Sequence, residues 1–171
     1  MICPATVEDT PVTAQIHVES WRSTYRGLMP DAVLDDLSVE KRAEFWGQVI
    51  GHTPKQFVFV ETADRGNIIG FVNGRPEQEA DPRYTAELYT LYLLREQQGS
   101  GYGGALPQAA VDEFTERGHR AMLLWVLATN PAHGFYEKLG GVYLKSKPIA
   151  IGDPTLEEVA YGWGDLPGLA K

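Results

Sequence analysis

The fold of this chain turns on the stretch Gln98-Gly99-Ser100-Gly101-Tyr102-Gly103-Gly104. Glycine costs a helix about 1 kcal/mol per residue against alanine, yet four of the six residues from 99 to 104 are glycine where a helix should begin. Upstream, residues 85–94 (TAELYTLYLL) alternate as a strand does. Downstream, Leu106, Ala110 and Phe114 recur on one helical face as far as Gly118, a residue suited to end the helix. A glycine-rich turn so placed has two readings. Backbone N–H groups at a helix N-terminus carry partial positive charge, and without side chains a pyrophosphate can sit against them. The other reading is a flexible turn with no ligand.

If a phosphate binds, two common carriers fail on context. Gly99, Gly101 and Gly104 satisfy GxGxxG, but that fingerprint also wants an acidic residue about 20 positions on. Residues 123–129 hold none, and the motif comes late in the chain. The nucleotide loop GxxxxGK[ST] is absent as well, because no lysine follows the glycines.

Working outward, residues 1–4 suit a short first strand, and residues 7–25 a helix broken by Gly27 and Pro30. A second helical region follows, and Ser38 suits an N-cap for a helix through about Val49. Residues 56–61 (QFVFVE) and 68–73 (IIGFVN) read as a hairpin around a polar turn at 63–67. Residues 121–128 (AMLLWVLA) form an apolar run expected of a buried central strand. A short helix over 131–139 and strands over 142–151 and 157–163 complete the order. That order implies a mixed sheet flanked by helices.

The chain has 171 residues, enough for one domain with a proper core. A net charge of −8 argues against a nucleic-acid surface, which needs clustered Lys and Arg; it either only keeps the protein soluble or also favours approach of a cationic substrate. Cys3 is the only cysteine, so no internal disulfide forms. The N-terminus has no signal-peptide pattern, and no apolar run is long enough to span a bilayer, so a cytoplasmic protein away from membranes is expected. The four histidines show no metal-ligand spacing, and no metal is expected.

Residues 98–103, QGSGYG, resemble the Q/R-x-x-G-x-G/A signature with which GNAT acetyltransferases grip the pyrophosphate of acetyl-CoA. AELYTLYLLREQ is similar to the family's fourth strand and its loop, and Asn130 with FYEKLGG (135–141) to its asparagine and later helix. The match covers about residues 86–141, and SWRSTYRG (20–27) is similar to a bacterial small-molecule or polyamine-type branch. Gln98 replaces the commoner Arg, Gly141 stands where Phe is frequent and implies looser packing, and Pro107 implies a late or kinked helix start.

The resemblance implies a single α/β (α+β) acetyltransferase domain over residues 1–171. Its sheet is mostly antiparallel, with about seven strands and about four flanking helices, splayed between strands 85–94 and 121–128. It implies direct acetyl transfer from acetyl-CoA to a primary amine in a ternary complex. Gln98, Gly99, Ser100, Gly101, Tyr102, Gly103 and Gly104 would hold the pyrophosphate, and backbone at Tyr92 and Leu93 the pantetheine arm. A strand N–H near Leu93 would polarise the thioester carbonyl. Glu87 is the candidate base, directly or through water, against a reading as a solvated strand carboxylate. Tyr136 is the candidate acid for the leaving thiolate, against a packed aromatic. Asn130 suits either the pantetheine arm or a turn before Pro131, while Trp21, Tyr25 and Tyr89 suit an acceptor pocket or, for Trp21 and Tyr89, the core. Cys3 has no His placed beside it and is not needed as a nucleophile. The rival functions are a non-catalytic acetyl-CoA-binding or sensory module and a partner-binding domain with an empty loop. The late strands offer an edge for a homodimer.

Overall fold

A computed structural model describes residues 1–63, 66–152 and 155–169; the middle of the turn expected at 63–67 lies outside them. The elements run β1 (Ile2–Pro4), α1 (Thr10–Tyr25), α2 (Asp31–Asp35), α3 (Val39–His52), β2 (Phe57–Thr62) and β3 (Ile68–Pro76). They continue as β4 (Ala86–Leu93), α4 (Ala105–Glu116), β5 (Met122–Leu127), α5 (His133–Lys138), β6 (Val142–Ala150) and β7 (Thr155–Trp163). The seven strands form one sheet in the order β1-β2-β3-β4-β5-β7-β6, and every pair is antiparallel except β4–β5.

Local chemistry sets the boundaries. Pro11 lacks an N–H and so sits in the first turn of α1. Residues 7–9, expected as helix, instead form one 3-10 turn in which Asp9 accepts from the Thr6 N–H at 2.7 Å. Ser38 caps α3 as expected, its hydroxyl accepting from the Lys41 N–H at 3.2 Å. The glycine loop makes a single 3-10 turn at Tyr102–Gly104 before α4 begins. Pro107 is then the third helical residue, and its missing donor is one the first turn leaves unpaired anyway.

Two apolar layers cover the sheet. On one face Leu106, Ala110 and Phe114 of α4 pack with Phe57, Leu88, Leu124 and Tyr161. On the other, Ile16 of α1 and Trp46 of α3 pack with Val58, Val60 and Phe71. Gly141 is tightly packed, contrary to the expectation of slack. A Cβ there would lie 2.7 Å from Trp163 Cζ2 and 2.9 Å from the Tyr136 carbonyl. The indole of Trp163 takes the space a larger residue would fill, and its N–H donates to the Leu139 carbonyl at 2.8 Å.

Candidate active site

The sheet opens where β4 meets β5. The two strands pair only at Ala86 with Met122 and at Glu87 with Leu123. Beyond that point β4 continues to Leu93 and β5 to Leu127 without pairing with each other. The cause lies in β4. Against β3, Thr90 pairs with Asn73 and Leu88 with Gly74, so Tyr89 is an extra residue, a bulge. Bulges bend a strand and increase its twist, which carries the end of β4 away from β5. Leu88 and Leu91, three residues apart, both pack on the α4 side. Strict alternation would place them on opposite faces, so β4 alternates less regularly than its sequence implies.

The wedge opens into a cavity of about 700 Å³, with Gln98, Gly99 and Gly103 at its loop end. Gly99 and Gly101 hold positive φ, and a Cβ added at Gly99, Gly101 or Gly104 would meet no atom within 4 Å. The amides of Gly99, Gly101 and Tyr102 have no hydrogen-bond partner among the described residues. Unfilled space beside free N–H groups is the form a pyrophosphate requires. Gln98 does not reach into that space, because its amide donates to the Leu93 carbonyl at 3.1 Å and braces the loop on β4. Ser100, Gly101, Tyr102 and Gly104 lie outside the cavity wall.

Tyr136, from α5, lies on the cavity wall and is 8% exposed. Its hydroxyl has no hydrogen-bond partner among the described residues, and burial pushes its pKa far above the usual phenol range. Tyr25 and Asn130 also reach the cavity but engage each other, the amide of Asn130 donating to the Tyr25 hydroxyl at 2.6 Å. The Asn130 side-chain oxygen accepts from the Ala132 N–H at 2.8 Å, the turn that leads into α5. Trp21 donates from its indole N–H to the Tyr92 hydroxyl at 2.7 Å, tying α1 to β4.

Glu87 is buried, and Arg75 of β3 donates to both its oxygens, at 2.8 and 3.1 Å. The same guanidinium lies 3.6 Å from the centre of the Tyr89 ring. A second such group stands across β5, where the Lys147 ammonium lies 3.9 Å over Trp125 and 3.4 Å from Glu158, and also pairs with Glu79. Burial pushes the Glu158 carboxyl up, against the opposing pull of Lys147.

Glu158, Trp125, Arg75 and His17 all line the cavity and were missed by the sequence reading. Leu156, Glu158 and Ala160 alternate along β7, a signal of facing that needs the strand register to be used. Among the described residues no group of three or more His, Cys, Asp or Glu could hold a metal ion. Nor is any described helix long and apolar enough to cross a membrane.

Comparison with known proteins settles the family. The model of the acetyltransferase (GNAT) family matches residues 15–141. The chain belongs to the GNAT acetyltransferase family. The acetyltransferase is 32% identical over 165 residues to an uncharacterized N-acetyltransferase, YuaI, of Bacillus subtilis (strain 168), covering 96% of this chain and 93% of the relative. Among solved structures it resembles the PaiA N-acetyltransferase of Thermoplasma acidophilum, solved in complex with coenzyme A. That likeness has a TM-score of 0.73 at 21% identity and covers 95% of this chain and 98% of the other. A ribosomal-protein-alanine N-acetyltransferase of Brucella melitensis superposes with a TM-score of 0.74 at 18% identity, over 95% and 98% of the two chains. The last two likenesses concern the fold. With the family established, the acetyltransferase is an acyltransferase whose acetyl donor is acetyl-CoA.

Proposed function

We propose that the whole chain acts as one domain that acetylates a primary amine by direct attack in a ternary complex. The observation that carries this reading is the wedge between β4 and β5, with an unengaged Tyr136 phenol on its wall, the free Gly99 amide at its loop end and the free amides of Gly101 and Tyr102 in the adjoining loop. Acetyl-CoA supplies the acyl group as a thioester; the coenzyme A complex of the PaiA protein, which shares this fold, supports that use. The amides from Gly99 to Gly104 hold the pyrophosphate, and Gln98 keeps their loop against β4. The side of β4 at Tyr92 and Leu93 that faces β5 pairs with no strand and receives the pantetheine arm, with Asn130 on the same cavity wall, and an N–H there polarises the carbonyl.

The acceptor enters from the side of Trp21, Tyr25 and Tyr89. Its nitrogen must shed a proton before or during attack on the acyl carbon. Arg75 occupies one lone pair on each oxygen of Glu87, which leaves the others to bind a water. Glu87 takes the proton through that water, the C–N bond forms and the C–S bond breaks. Tyr136 donates its proton to the departing sulfur. The products are an amide and free coenzyme A thiol.

Calorimetric titration with acetyl-CoA, followed by thiol release across a panel of amines, tests the reading. Binding with turnover on one amine class supports it, and binding without turnover on any amine favours a sensory module. Absence of binding removes it. The outer edge of β6, the last strand of the sheet, supports a homodimer, and sedimentation as a monomer would remove that part.

A further inference from the structure

One wall of the cavity plays no part in this chemistry. His17 and Ser20 line it from α1 and Thr90 from β4, and all three are buried, at 4%, 8% and 5% exposure. His17 and Ser20 are three residues apart and share a helix face. The His17 ring centre is 4.9 Å from that of Tyr92, which is two residues along β4 from Thr90. The indole N–H of Trp46, which can only donate, lies 3.2 Å from His17 Nδ1. Nδ1 is therefore unprotonated, and the ring carries its proton on Nε2. That N–H has no acceptor among the described residues, and the hydroxyls of Ser20 and Thr90 have no partner either.

Buried donors are rarely left unpaired in a native protein, and each such group calls for an explanation. Arg42 of α3 borders the same cavity and acts electrostatically on His17. Its guanidinium makes no ion pair or hydrogen bond among the described residues. Three neutral donors and one unpaired cation lining the same cavity are complementary to an anionic oxygen pair. The places that would suit a second ammonium are already filled. Arg75 occupies the Tyr89–Glu87 position, and Lys147 the Trp125–Glu158 position.

We propose that the wall formed by His17, Ser20, Thr90 and Arg42 binds a carboxylate of the acceptor, so that the amine acetylated is that of an amino acid and not of a polyamine. The proposal rests on the acetyltransferase reading and narrows its substrate.

The test is coenzyme A thiol release with the twenty standard amino acids, each set against the amine left by removing its carboxyl group, and with spermidine. At least one amino acid should exceed its matched amine in kcat/KM by about tenfold or more, as loss of a charge-assisted hydrogen bond implies. Thr90→Val and Arg42→Gln should each bring that amino acid down towards its matched amine, chiefly through KM. A bare amine or spermidine as the best substrate overturns the proposal and leaves acetyl transfer standing. So does a carboxylate preference that survives both substitutions. If acetyl-CoA itself fails to bind, the acetyltransferase reading falls instead. The wall is then judged by calorimetry with N-acetylglycine, N-acetylleucine and N-acetylglutamate. Binding to the wild type that Arg42→Gln abolishes supports it, and no binding overturns it.

Discussion

Acidification should unfold this protein partly through one histidine, and the effect can be isolated with a single variant. Burial, with a smaller contribution from Arg42, pushes the His17 pKa down from 6.5 to about 3. The unfolded chain therefore binds a proton that the folded chain refuses throughout that window. Stability rises with pH wherever the unfolded state holds more protons. The contribution of His17 is thus complete above about pH 6.5 and is lost as pH falls towards 3. At roughly 1.36 kcal/mol per pH unit, a loss of about 2.7 kcal/mol accumulates by about pH 4.5. His17→Gln removes the titration while leaving an amide oxygen to accept from Trp46. Urea unfolding of both proteins from pH 8 down to 4.5 gives the difference in stability at each pH, and the carboxylates common to both cancel. The wild type should lose about 2.7 kcal/mol relative to the variant over that range. Two curves that stay parallel within about 0.5 kcal/mol would refute the reasoning, because His17 would then be taking its proton in the folded state.

Tyr136→Phe should lower kcat by about 100-fold or more while acetyl-CoA still binds; an unchanged kcat would remove the phenol as the proton donor. Glu87→Gln is expected to lower kcat by about 100-fold while acetyl-CoA still binds. If Glu87→Gln leaves kcat unchanged and Glu158→Gln lowers it by that factor, the base sits on β7. Gly141→Ala places a methyl group 2.7 Å from Trp163 and should cost about 1–3 kcal/mol in urea unfolding; unchanged stability would mean that the corner between α5 and β6 relaxes freely. Cys3→Ser should retain full activity, since Cys3 lies on β1 opposite Val60 and lines no part of the cavity.

Much of the fold was legible because its signals are local. Alternation and apolar runs marked the strands, Ser38 marked the start of α3, and Gly118, with a positive φ, marked the end of α4. The clustered glycines marked the loop that abuts the cavity, because a costly residue type repeated at a helix start needs a reason. What stayed hidden depends on pairing between distant parts of the chain. The bulge at Tyr89 exists only against the register of β3, and without it the wedge between β4 and β5 has no cause. Arg75 meets Glu87 and Lys147 meets Glu158 because strands separated in sequence lie side by side, and neither pair has a signature in either segment alone. His17 read as one of four scattered histidines. Its tautomer, its lost basicity and its free N–H all follow from Trp46, which lies 29 residues away on another helix. Backbone preferences act over a few residues and can be read along the chain. Facing, desolvation and proton placement are set by which surfaces meet, and only the folded chain decides that.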